Sequence, residues 1–121
     1  MEKVLVTGAS GYIALHCITE LLKNGYAVKG SLRSMNRENE VREAVRKEVS
    51  DNNLEVCELD LLNDDGWDSA ASECEYMLHL ASPFIVGEPK SEDELIRPAK
   101  EGTMRALKAA KKAGIKKIVL T

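Results

Sequence analysis

Cysteine is scarce in this chain and poorly placed for a structural role. Cys17, Cys57 and Cys74 are odd in number and none belongs to a Cys-x-x-Cys pair. That spacing suggests neither a disulfide framework nor a thiolate zinc site, and reduced thiols in a cytoplasmic protein fit best. No apolar run approaches the roughly 20 residues that span a bilayer. Glu2 and Lys3 lead straight into a strand-like stretch where a signal peptide would place its apolar core. An excess of positive charge is missing too, since 17 basic and 20 acidic residues leave a formal net charge of -3. Such a balance gives no broad attraction to phosphate backbones or anionic surfaces, so neither nucleic acid nor a membrane is an expected partner. There is no internal repeat, low-complexity tract or interdomain linker, which leaves a single domain over residues 1–121.

What is present is an alternation of strand and helix patterns, with 44% hydrophobic residues to build a core. Lys3–Thr7 is a short β-branched run closed by glycines, as in a strand buried on both faces. From Gly11 to Asn24 the residues Ile13, Leu15, Ile18, Leu21 and Leu22 recur at helical spacing, and Gly25 supplies a stop. Ala27–Leu32 reads as the second strand, Arg37–Val49 as an amphipathic surface helix with Val41, Ala44, Val45 and Val49 on its apolar stripe. Leu54–Leu59 is the third strand, Asp64–Ser72 a short helix and Tyr76–Leu80 the fourth strand. Ser91 with Glu94 resembles a capping box. Pro98 is expected to interrupt or restart the helix that follows, which then runs through Ala99, Met104, Leu107 and Ala110 to Gly114, ahead of a fifth strand at Lys116–Leu120. Trp67, Met77 and Met104 are assigned to core packing. This order predicts an α/β fold, a Rossmann-like doubly wound parallel sheet of about five strands with helices on both faces. Ligands of such a sheet sit outside the carboxyl ends of the strands, where the connections diverge.

The strongest local signal lies at such an end: Val6-Thr7-Gly8-Ala9-Ser10-Gly11-Tyr12-Ile13-Ala14, between the first strand and the first helix. Gly8 suits a tight turn, Gly11 admits the backbone close to a pyrophosphate, and Ala14 is small enough for close packing of helix on sheet. The free amides at the helix start, through Tyr12 and Ile13, then face the anion. No Gly-Lys-Ser/Thr follows, so this is not a phosphate-transfer P-loop. At the end of the second strand stands Ser31-Leu32-Arg33-Ser34 instead of the Asp or Glu of an NAD-preferring site. Arg33 offers a fork of donors and a permanent charge to an adenosine 2′-phosphate, which favours NADP(H) over NAD. Arg37 ranks below it, because it serves the charged face of the next helix equally well. Ser31 and Ser34 are within reach of the same phosphate, although strand-end serines commonly serve the backbone.

With Leu59-Asp60-Leu61, His79-Leu80-Ala81-Ser82-Pro83, Gly102-Thr103 and Ile118-Val119-Leu120-Thr121, these motifs resemble the extended short-chain dehydrogenase/reductases, and within them the dihydroflavonol 4-reductase and cinnamoyl-CoA reductase branch. The resemblance covers essentially the whole chain. It implies that Asp60 accepts from the adenine amino group while Leu61 covers the ring, the local alternative being that Asp60 caps a turn or the helix ahead. It also lays Leu80, Ala81 and Ser82 along the ribose and pyrophosphate. His79, within an apolar strand end, reads as a structural histidine more readily than as an acid or base, and His16 is discounted in the same way.

The resemblance makes one further absence important. The family protonates the developing alkoxide with a tyrosine whose pKa is lowered by a lysine four positions later, and Tyr12, Tyr26 and Tyr76 lack that lysine. The expectation is therefore an NADP(H)-binding portion of a carbonyl reductase, stopping before the catalytic and substrate-binding part and lacking turnover by itself. The competing readings are a stand-alone dinucleotide-binding or regulatory module and the front part of a nucleotide-sugar epimerase or dehydratase. Expected partners are the dinucleotide, a small carbonyl compound in the longer protein, and a second copy through an exposed sheet edge.

Overall fold

The computed structural model describes residues 2–60, 66–80 and 92–120, with side chains described outside 92–100 and 120. Strands and helices alternate as β1 (Lys3–Thr7), α1 (Tyr12–Lys23), β2 (Ala27–Leu32), a 3-10 turn (Met35–Arg37) running into α2 (Glu38–Arg46), β3 (Leu54–Glu58), α3 (Trp67–Ser72), β4 (Tyr76–His79), α4 (Glu92–Ala113) and β5 (Lys117–Leu120). Every pairing is parallel, in the order β3-β2-β1-β4-β5. The chain steps outward from β1 to β2 and β3, then returns to the other side of β1 for β4 and β5. The point of reversal lies between β1 and β4, which makes this the Rossmann-like doubly wound sheet.

β1 is apolar from Val4 to Val6 because helices cover both of its faces. Val4 and Val6 enter one core with Ile18 of α1, Val28 of β2 and Val41 and Val45 of α2. Leu5, between them, enters the opposite core with Trp67, Ala70 and Ala71 of α3, Met77 of β4 and Ala106, Ala109 and Ala110 of α4. Alternation along one strand thus feeds two separate cores. Among the described side chains of α4 the buried ones are all alanines, so this part of the helix lies close to its neighbours.

Three expectations need correction. Helix α4 is continuous across Pro98. A proline inside a helix costs about 3 kcal/mol, and the next turns are fixed by the burial of Ala106, Ala109 and Ala110. Met104 is 45% exposed instead of packed in the core, because helical geometry turns it away from those alanines. Arg37–Val49 is a 3-10 turn followed by a shorter α-helix, after which Asp51 accepts from Arg42 and Arg46, both at 3.1 Å. Helical bonding persists only as a turn, from the Val49 amide to the Val45 carbonyl at 3.0 Å. Asp64 of the expected third helix and Ser91 of the capping box lie outside the described residues.

Candidate functional site

At the carboxyl end of β1 the chain turns through Gly8, whose φ of 72° favours glycine. Gly11 is the N-cap of α1 and contributes no capping side chain. The loop between them is tied to β2 through one residue, Ser31. The Gly8 amide donates to Ser31 Oγ at 3.2 Å and the Ala9 amide to the Ser31 carbonyl at 2.8 Å. Ser31 is 3% exposed, so of its two foreseen uses the structure selects the backbone one. The Gly11 amide turns inward as well, to the Gly8 carbonyl at 3.0 Å.

These bonds determine which amides face a ligand. The first intrahelical bond of α1 runs from the Leu15 amide to the Gly11 carbonyl at 2.9 Å. The amides of Tyr12, Ile13 and Ala14 precede it and have no partner inside the helix. An anion on the α1 axis would meet those amides and the positive end of the helix dipole, while Gly8 and Ala9 shape the loop. Tyr12 and Ile13 are 78% and 65% exposed. Ile13 therefore lies off the apolar face on which Ala14 and Ile18 are buried. Ser10 is half-buried. The Tyr12 ring meets His16 edge-on, with centroids 4.7 Å apart.

Gly30, on β2, is a contributor the sequence reading missed. A Cβ there would stand 2.9 Å from Ala9 Cβ and 3.7 Å from Ile18 Cδ1. The absent side chain is what lets fully buried Ala9, and the loop with it, settle onto the sheet. A glycine inside a strand was the available signal, since it often marks close approach of another backbone.

Across the switch point, Thr7 joins β1 to β4. Its hydroxyl oxygen accepts from the Leu80 amide at 3.0 Å and lies 2.9 Å from His79 Nδ1. Thr7 and His79 are both buried, and burial lowers the histidine's pKa, favouring the neutral ring. His79 thus has the surroundings of a structural histidine. Leu80, half-buried, is fixed at this end by Thr7. Ala81 and Ser82, which were expected to continue along the cofactor, lie outside the described residues, as does Leu61.

The ends of β2 and β3 are level, because the Leu59 amide donates to the Leu32 carbonyl at 2.9 Å. Asp60 is half-buried, and its carbonyl accepts from Trp67 Nε1 at 3.1 Å. The N-cap of α3 is Gly66, so Asp60 does not cap that helix. Beyond β2, Arg33 is exposed and has no hydrogen-bond or ion-pair partner among the described residues. Arg37 is engaged by Glu40, with Nε to Oε2 at 3.1 Å and Nη2 to Oε1 at 3.0 Å. Those hydrogen bonds raise the arginine's pKa and lower the glutamate's.

Cys57 and Cys74 are poor nucleophiles. Burial pushes Cys74 up to about 11 and raises Cys57 as well. Among the described residues no cluster suited to a metal ion occurs, and no helix is long and apolar enough to cross a membrane. The arrangement can cradle an anion at α1 and attract a second negative charge at Arg33.

The chain is 38% identical over 119 residues to cinnamoyl-CoA reductase CAD2 of Medicago truncatula, covering 98% of this chain and 36% of that protein. It is 32% identical over 120 residues to dihydroflavonol 4-reductase of Dianthus caryophyllus, covering 99% and 33%. The fold matches the crystal structure of yeast methylglyoxal/isovaleraldehyde reductase Gre2 complexed with NADPH at a TM-score of 0.82 and 31% identity, covering 98% of this chain and 36% of that one. The chain thus spans about a third of the length of these relatives. The model of the NAD dependent epimerase/dehydratase family matches residues 4–121. With its parallel switch-point sheet and glycine loop, the chain belongs to the NAD dependent epimerase/dehydratase family.

Proposed function

We propose that this chain is the NADP(H)-binding portion of a carbonyl reductase related to dihydroflavonol 4-reductase and cinnamoyl-CoA reductase. The observation that carries the cofactor choice is Arg33. It is an exposed guanidinium without a described partner, two residues past the serine that anchors the phosphate loop. A carboxylate there would bind ribose hydroxyls and repel a 2′-phosphate, whereas the arginine attracts it. The amides of Tyr12, Ile13 and Ala14 take the pyrophosphate. Asp60 and Leu61 serve the adenine, and Leu80, Ala81 and Ser82 the ribose side. NADPH, once bound, supplies a hydride from the nicotinamide C4. What this chain's residues contribute is binding and orientation. Without a tyrosine and lysine at the required spacing they hold no proton for the product alkoxide, so we expect no turnover from these 121 residues. The reductase branch is preferred to the sugar epimerases because of Arg33 and the Ala81-Ser82-Pro83 stretch.

Calorimetric titration tests the cofactor assignment. NADPH should bind more tightly than NADH, and Arg33→Gln should weaken NADPH by roughly tenfold or more, the loss of a charge-assisted contact, while sparing NADH. Equal affinity for the two nucleotides in the unsubstituted chain would refute the NADP(H) assignment.

A further inference from the structure

Beyond β2, Arg33, Arg37 and Arg42 stand in different states of engagement. Arg42 is held by Glu38 at 2.8 Å and by Asp51 at 3.1 Å, with its side chain only 22% exposed. Arg37 is held by Glu40, and both side chains are more than half exposed, at 52% and 59%. Arg33 has no described partner. Arg37 follows Arg33 by one 3-10 turn, and its amide folds back to the Ser34 carbonyl at 3.4 Å. The two guanidinium-bearing residues therefore flank a single short turn at one corner of the sheet.

An exposed ion pair is weak, because water and salt compete for both partners. A phosphate monoester carries nearly twice the charge of a carboxylate and offers three acceptor oxygens, which makes it the stronger partner for an arginine fork. Glu40 sits in the first turn of α2, where its charge also complements the helix dipole. It therefore opposes a neighbouring phosphate by occupying Arg37.

Resting on the NADP(H) reading, we infer that Glu40 tunes cofactor specificity: its two bonds to Arg37 restrain a second guanidinium from the 2′-phosphate and so limit the preference for NADPH over NADH. Binding of NADPH then exchanges Arg37 from Glu40 to the phosphate. NADH lacks that phosphate and leaves the pair intact.

The test is a double-mutant cycle read by calorimetry with NADPH and NADH, using the unsubstituted chain, Glu40→Gln, Arg37→Gln and the double variant. Glu40→Gln should tighten NADPH binding by about two- to fivefold, the range of an exposed ion pair, and leave NADH unchanged. With Arg37 already replaced, the same substitution should give no such gain. Unaltered NADPH affinity in Glu40→Gln would overturn the inference, as would tighter binding of both nucleotides. An equal gain with and without Arg37 would overturn it too, because Glu40 would then act on the phosphate directly. If the unsubstituted chain binds neither nucleotide, the NADP(H) reading fails and takes this inference with it. Loss of only the Glu40 effect leaves that reading standing.

Discussion

The missing side chain of Gly30 decides where the glycine loop lies. A methyl group there would approach Ala9 Cβ to 2.9 Å, so the loop or β2 must shift. Gly30→Ala is expected to cost about 1–3 kcal/mol in urea denaturation, as overpacking does, and to weaken NADPH binding as well. Gly25→Ala separates contact from backbone strain. Gly25 has a φ of 87° but nothing within 4 Å of its added Cβ, so its replacement should cost about 1–2 kcal/mol without changing nucleotide affinity. Equal effects of the two on NADPH binding would refute the contact explanation. The glycine loop and Arg33 were legible in the sequence because residue type alone carries their chemistry. Ser31 was legible only as a choice between two uses, and its near-complete burial makes the choice.

At the scale of elements, α4 shows how a helical pattern misleads when alanines do the packing. Met104 and Leu107 are large apolar residues, but among the described side chains of α4 those fully buried are Ala106, Ala109 and Ala110. Small side chains there hold α4 close to its neighbours. Ala106→Leu should therefore destabilise the protein by about 1–3 kcal/mol through overpacking. Met104→Ala, at an exposed position, should fall within about 0.5 kcal/mol of the parent. Urea midpoints of the two variants check this, and a tolerated leucine at position 106 would contradict the close contact. Pro98 misled in the opposite direction. Its local penalty is real, but the helix is held by what its later turns bury.

Across the whole molecule, the Thr7–His79 contact ties the two strands that flank the switch point, and it makes global stability depend on pH. Burial lowers the pKa of His79 in the folded protein, below the ordinary histidine value of about 6.5. Above that value both folded and unfolded chains hold the ring neutral, and His79 adds no pH dependence. As pH falls below it, the unfolded chain takes up a proton that the folded chain refuses, and stability declines until the lower folded pKa is passed. Glu40 and Glu73, whose pKa values are lowered through hydrogen bonds to Arg37 and Lys3, lose their contribution at more acid pH. Denaturation midpoints should thus drop between pH 7 and 5.5, and His79→Asn should flatten that drop. An unchanged slope in the variant would remove His79 as its source.

The sequence by itself determined the alternation of strands and helices, the glycine turn after β1 and the charge beyond β2, because periodicity, conformational freedom and formal charge are properties of local residues. It did not determine that the Gly8 and Ala9 amides are turned to Ser31, that Gly30 makes room for Ala9, or that Glu40 engages Arg37 while Arg33 stands apart. Those distinctions belong to the tertiary structure. Each depends on distances between groups on different elements, or on which way a long side chain turns, and only the assembled sheet with its packed helices fixes them.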